Sequence, residues 1–312
     1  MKIFVTGATG FIGRFLVEEL FRRGYSDITA LARKTSDISF LKKLGAKIVV
    51  GDITDESSLN SAGVGYDAVF HCAASINNYD RKALRRANVS GTENVFRWAA
   101  GHKIKKMIYV SSVSVNSVNT DVPLSEELPY GVTSSYGASK LEAEKIAVRF
   151  RDSGLPTVIV RPAIVYGEGE PHWMPLLGRF MRLRFCFLPA CGSSLLHMVS
   201  VRNVADCLVS CFEDDRALGK IFNIADSRAL TIRQLLGIMA GCLGVPVPAL
   251  LPRPIAEKAL KLPFADKCMG HLLKDRVYST ERLKEEIGFI PKYDVTMEFA
   301  LAALFLRAKK YK

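Results

Sequence analysis

Residues 2–6 form a short apolar run rich in β-formers. Thr6-Gly7-Ala8-Thr9-Gly10-Phe11-Ile12-Gly13 follows at once, and a helix-like segment runs from Arg14 to Arg23. A strand, a glycine turn and a helix in that order leave the chain few options. Glycines spaced this way have a physical job where backbone must turn sharply and come close to a phosphate. Gly7 permits the turn, Gly10 lets a pyrophosphate approach, and Gly13 lets the helix pack close on the strand. The helix N-terminus then offers unpaired N–H groups and the positive end of its dipole. The stretch predicts a dinucleotide-binding unit.

Further strands are expected at Asp27–Arg33, Ala46–Val50, Asp67–His71, Met107–Val110 and Thr157–Val160, separated by helix-length segments. This alternation predicts an α/β fold, a doubly wound parallel sheet of the Rossmann kind, with ligands over the carboxyl ends of the strands. Residues 1–165 are expected to form the dinucleotide-binding domain, with a segment near 198–215 returning to it. Residues 166–312 then supply mainly a smaller α/β substrate domain. Lys220–Ile224 reads as a strand of that second domain, a helix is expected after Thr231, and Val245 to Pro254 reads as a connector. Phe299 to Lys312 reads as a terminal helix whose Lys and Arg suit its C-terminal end. A peripheral membrane contact is the alternative reading of that helix.

With 312 residues, 49% of them hydrophobic, the chain can bury a large core. No stretch approaches the ~20 uninterrupted apolar residues of a membrane span. The N-terminus lacks a signal peptide's long apolar core, so the expected compartment is the cytoplasm. The seven cysteines (72, 186, 191, 207, 211, 242, 268) show no C-x-x-C pair and no zinc spacing, which predicts reduced thiols and no metal. A net charge of +12 favours an anionic partner. The basic residues are scattered and form no nucleic-acid-binding module.

The second strand ends at Ala32-Arg33-Lys34, where an NAD-selective protein usually carries an acid for the ribose hydroxyls. An uncharged residue beside two cations suits a 2′-phosphate, so NADP is expected ahead of NAD. Asp52 is a candidate for the adenine amino group, or else a helix N-cap. Ala73 and Ala74 leave room for a cofactor, His71 reads as structural, and Asn88 is expected to bond backbone. Tyr136 and Lys140 lie one helical turn apart, on one face. A phenol that carries protons near neutrality needs its pKa lowered by about 3 units, or roughly 4 kcal/mol. One ammonium at ~4 Å in an effective dielectric of ~20 offers about that much before its own desolvation.

Seven motifs occur in order: Thr6-Gly7-x-x-Gly10-x-x-Gly13, Gly51-Asp52, Phe70-His71-x-Ala73-Ala74, Asn88-Val89-x-Gly91-Thr92, Ser111-Ser112, Tyr136-x-x-x-Lys140 and Arg161-Pro162-x-x-x-Tyr166-Gly167. Together they resemble the extended short-chain dehydrogenase/reductases, also called the NAD-dependent epimerase/dehydratase family. The resemblance implies a catalytic set of Ser112, Tyr136 and Lys140. Tyr136 would exchange a proton with substrate, Ser112 would hydrogen-bond the reacting oxygen, and Lys140 would hold the nicotinamide ribose and favour the phenolate. Cofactor contacts implied alongside Tyr136 and Lys140 are Gly7, Thr9, Gly10, Phe11, Ile12, Gly13, Arg33, Lys34, Asp52, Ile53, Ala73, Ala74, Asn88, Pro162, Ala163 and Val165. A homodimer is also implied.

The departures bear on substrate. Ile164 aligns where nucleotide-sugar members usually carry asparagine, Ser193-Ser194-Leu195-Leu196 offers no arginine for a diphosphate, and Val113-Ser114 replaces the dehydratase acid pair. The Arg161-Pro162 form resembles the 3β-hydroxysteroid dehydrogenase and dihydroflavonol reductase branches. His172, Trp173, Met174, Leu176, Leu177, Phe180, Met181, Phe185, Phe187 and Leu188 form an apolar run that is read as plain core or as a ligand wall. The expected activity is hydride transfer between nicotinamide and a hydrophobic, sterol- or lipid-like secondary alcohol or ketone. The alternatives are a nucleotide-sugar epimerase and a non-catalytic NADP-binding sensor.

Overall fold

β1 (Ile3–Thr6) is buried along its whole length, as a parallel strand must be when helices cover both faces of its sheet. After it come α1 (Phe11–Arg22), β2 (Ile28–Ala32), α2 (Ser39–Leu44), β3 (Lys47–Val50), α3 (Glu56–Asn60) and β4 (Ala68–His71). α4 (Arg81–Leu84) runs through a π-helical turn, Arg85–Ser90, into α5 (Gly91–Gly101). β5 (Lys106–Val110), α6 (Ser135–Asp152) and β6 (Thr157–Pro162) complete the first part of the chain. The computed structural model describes residues 1–183, 187–188, 192–250, 254–255, 258 and 274–309.

The second part holds β7 (Ile164–Tyr166), α7 (Trp173–Met181), β8 (Phe187–Leu188), β9 (Leu195–Leu196), β10 (Met198–Ser200) and α8 (Val201–Glu213). β11 (Ile221–Ile224), β12 (Leu230–Thr231), α9 (Ile232–Leu243), β13 (Ala249–Leu250), α10 (Glu281–Ile287) and α11 (Val295–Ala308) follow. The capping box that Thr231 and Gln234 form starts α9 where the sequence places a helix.

The main sheet is parallel throughout, in the order β11-β6-β5-β4-β1-β2-β3. This corrects the reading of Lys220–Ile224: β11 is the edge strand of the main sheet, in register with Ile159–Pro162 of β6. α8 packs on α1 beneath the same sheet, tied by Arg23, which bonds both Asp206 and Glu213. The stretch read as a connector contains β13, which pairs with β8.

Among the described residues three apolar cores result. One lies between the sheet and α1 and α8, and one on the opposite face under α5 and α6. The third joins α7, α9 and α11 in a helical lobe. Met174, Met181 and the partly buried Leu177 and Phe180 of the apolar run pack into that lobe as core, while Leu176 of the same helix is exposed. Phe185 lies outside the described residues. Cys72, Cys207, Cys211 and Cys242 are free thiols, and Cys186, Cys191 and Cys268 lie outside the described residues. Among the described residues there is no metal-ligating cluster, and no helix long and apolar enough to cross a membrane.

Candidate active site

The glycine turn after β1 forms a crevice in which no side chain fits. Gly7 has φ +74°, and a Cβ there would lie 2.5 Å from the Ala73 nitrogen. A Cβ on Gly13 would lie 2.1 Å from the Gly7 carbonyl oxygen. Gly10 caps α1 without any side-chain hydrogen bond, so Phe11, Ile12 and Gly13 present the first-turn N–H groups unblocked. A pyrophosphate fits such a place. Thr9 is half-buried beside it, Ala73 is half-buried and Ala74 is exposed.

Around this crevice the other expected contacts are distributed unevenly. Arg33 and Lys34 emerge exposed past the end of β2, with no ion pair to any described residue. Asp52 accepts from the Thr54 amide at 2.9 Å, and the N-cap role falls to Asp55, which accepts from Ser57 N at 3.0 Å. Ile53 is buried so closely on Gly91 that a Cβ there would meet its Cδ1 at 2.6 Å. Pro162 and Ala163 are buried at the end of β6. Val165 is half-buried, and its carbonyl accepts from Trp173 Nε1 at 3.1 Å.

Asn88 bonds backbone, as the sequence predicts. It is buried, its amide nitrogen donates to the Ser75 carbonyl and to Ser139 Oγ, both at 2.8 Å, and its oxygen accepts from Ser75 N at 2.7 Å. With those atoms engaged, Asn88 supports the crevice wall by clamping the loop after β4 to α6. Asn78 on the same loop accepts from the Tyr136 amide at 2.8 Å. Ser139 Oγ donates to the Tyr136 carbonyl at 2.7 Å, and Ser134 caps the helix by accepting from Gly137 N at 2.9 Å. The backbone of Tyr136 is thus held at both ends.

The structure brings Ser112, Tyr136 and Lys140 together at the carboxyl end of β5. Burial pushes the Tyr136 phenol above its ordinary pKa, and a hydrogen bond from the Ser112 hydroxyl opposes that shift. Ser111 is engaged elsewhere, donating to the buried carboxylate of Glu144. Lys140 is 2% exposed, and burial lowers its pKa to about 8 despite the favourable charge of Glu144. Its ammonium donates to the Tyr109 phenol oxygen at 2.9 Å and to the Val110 carbonyl at 2.7 Å. The expected lowering of the Tyr136 pKa by Lys140 is therefore not present. The ammonium turns down toward β5, and Ser112 supplies the opposing interaction.

Below Lys140 a buried polar chain crosses the strand ends. Tyr109 stacks on His71 with ring centroids 5.5 Å apart, His71 Nε2 lies 3.0 Å from the Thr92 hydroxyl, and His71 Nδ1 lies 2.7 Å from Thr6 Oγ1, next to Gly7. Burial and the Lys140 charge hold His71 at about 3, so it is neutral, in keeping with its structural reading. Glu144 is also ion-paired with buried Arg161 at 2.6 Å and accepts from Tyr130 at 2.8 Å. The roles of Asn78, Tyr109, Ser139 and Glu144 were missed from the sequence. Only Glu144, one turn beyond Lys140 on the same helical face, left a readable signal.

The model of the NAD dependent epimerase/dehydratase family matches residues 3–225. The chain is similar to a 2-alkyl-3-oxoalkanoate reductase of Stenotrophomonas maltophilia (strain K279a), 28% identical over 95% of this chain and 96% of that one. It is also similar to a UDP-glucose 4-epimerase of Vibrio cholerae, 29% identical over 98% and 96%. The solved UDP-glucose 4-epimerase of Thermotoga maritima shares the fold with a TM-score of 0.82, at 22% identity over 99% of this chain and 100% of that one. Crevice, tyrosine helix and family match converge: the chain belongs to the NAD dependent epimerase/dehydratase family, the extended short-chain dehydrogenase/reductases, and is an NAD(P)-dependent enzyme.

Proposed function

We propose that the chain transfers hydride between nicotinamide and a secondary alcohol or ketone flanked by apolar groups, with net oxidation or reduction of substrate. The observation that carries this reading is the Ser112–Tyr136 hydroxyl pair at the end of β5, above a lysine that is almost wholly buried. Tyr136 gives a proton to the carbonyl oxygen in reduction, or takes one from the alcohol in oxidation. Ser112 donates a hydrogen bond to that oxygen and keeps it aimed at the phenol. Lys140 has three N–H donors and uses two on Tyr109 and Val110, which leaves one for the nicotinamide ribose. The nicotinamide supplies or accepts the hydride when bound, and its positive charge in the oxidised form favours the phenolate that Lys140 does not reach.

NADP is the preferred cofactor in this reading, supported by the uncharged Ala32 and the unpaired, exposed Arg33 and Lys34. An apolar substrate is supported by Ile164, an aliphatic side chain exposed on β7, and by the similarity to a reductase of 2-alkyl-3-oxoalkanoates. The second reading, a nucleotide-sugar epimerase, is supported by the similarity to the Vibrio cholerae protein. Purified enzyme offered NADPH with 2-alkyl-3-oxo acids, sterol ketones or UDP-glucose separates the two. Consumption of NADPH with the apolar ketones supports the first reading. Interconversion of UDP-sugars without net NADPH change, and no turnover of the ketones, overturns it.

A further inference from the structure

The described outer surface of the helical lobe is built unlike that of α5 and α6. On α5 and α6 the exposed positions carry paired charges: Arg149 with Glu93 at 2.9 Å, Arg85 with Glu142 at 2.8 Å, and Arg97 with Glu56. A solvated helix face is ordinarily made that way. α7, α9 and α11 carry one carboxylate between them, Glu298, and it is buried against Ser200 and Arg202.

α11 is apolar on two sides. Val295, Phe299, Ala302 and Ala303 are buried against α7 and α9, which accounts for the inner face. Met297, Leu301 and Leu304 sit four and three residues apart, on another face, and are 67%, 47% and 45% exposed. Packing against the described residues does not account for that second stripe. The helix ends in Arg307 and Lys309, both exposed and without an ion pair to any described residue, and the sequence continues to Lys310 and Lys312. α7, packed beside α11, also exposes Leu176 and Arg179.

We propose that the outer face of α11 docks this enzyme on an anionic lipid surface. Met297, Leu301 and Leu304 enter the headgroup boundary, and Arg307 and Lys309 meet lipid phosphates. Charge selects this occupant over a second copy of the chain. A second copy packed antiparallel would bring the same cations and, near α11, only the N-cap carboxylate Asp294, already 3.9 Å from Arg228, whereas anionic headgroups neutralise all of them. The surface stands independently of the reaction assigned above.

The test is flotation of the full chain with phosphatidylcholine vesicles, with and without phosphatidylglycerol, alongside light scattering of the protein alone. The wild type is expected to float with the anionic vesicles and to be released by salt. The triple change Met297→Gln, Leu301→Gln, Leu304→Gln is expected to lower partitioning by about tenfold or more. The change Arg307→Gln, Lys309→Gln is expected to weaken the preference for anionic vesicles severalfold. Unaltered NADPH affinity shows that each variant is folded, and the charge variant decides the matter if the apolar one is not. Failure of the wild type to float, or flotation unaffected by the charge variant, overturns the proposal. So does a wild-type dimer that ignores vesicles and dissociates in the triple variant.

Discussion

The Lys140 ammonium rests 2.9 Å from the phenol oxygen of Tyr109, at the foot of the crevice, and not against Tyr136 one helical turn back. Tyr109 is therefore a positioning residue for the lysine. With the Lys140 pKa held at about 8, its charge is present below that pH and is lost as pH rises through it. Cofactor affinity is expected to fall in the same window. In Tyr109→Phe the buried ammonium loses an acceptor, its pKa drops further, and the fall in affinity begins at lower pH. Titrating NADPH binding against pH in both proteins checks this. An unshifted profile would reduce Tyr109 to a space-filling role.

The glycine crevice predicts a different kind of loss. In Gly13→Ala the new methyl would be driven onto the Gly7 carbonyl, and α1 would have to move away from β1. Overpacking of this kind costs ~1–3 kcal/mol of stability. Cofactor affinity is expected to fall by more than that stability loss, because displacing α1 also withdraws the N–H groups offered to the phosphates. Thermal melts together with binding titrations measure both effects.

Much of this was legible in the sequence because it is local. The turn glycines and the four-residue Tyr136–Lys140 offset follow from backbone periodicity, and the sheet strands announce themselves as short apolar runs. β11 was misassigned because a strand's own pattern does not say which neighbour it pairs with. Only its register with β6, more than fifty residues earlier, places it in the main sheet. Asn78 and Tyr109 were illegible for a related reason. One acts through the path of a loop, and the other through a lysine that bends away from the group its spacing points to.

Cofactor selectivity is expected to depend on Arg33. Its side chain is exposed and unpaired beyond β2. In Arg33→Ala, NADP affinity is predicted to drop by roughly tenfold, the scale of one charge-assisted hydrogen bond, with NAD nearly unaffected. Equal losses for the two cofactors would refute a phosphate contact.

Asp226 gives a pH signature in stability. It accepts from Tyr166 at 2.7 Å, Asn203 at 2.7 Å and Ser200 N at 2.9 Å, yet burial raises its pKa to about 6. Because the folded value lies above the unfolded one, its stabilising contribution is full below about pH 4 and is lost as pH rises through 6. The stability of wild type relative to the non-titrating Asp226→Asn variant is expected to fall by about 2–3 kcal/mol between pH 4 and pH 7. Denaturant melts across that range measure it.

Tyr136→Phe tests the central claim most directly, with turnover and NADPH affinity measured on the same preparation. The account predicts that kcat falls by ~10²–10⁴-fold, the range for removing a positioned proton carrier, while NADPH still binds. A variant that binds NADPH and retains wild-type turnover would contradict it.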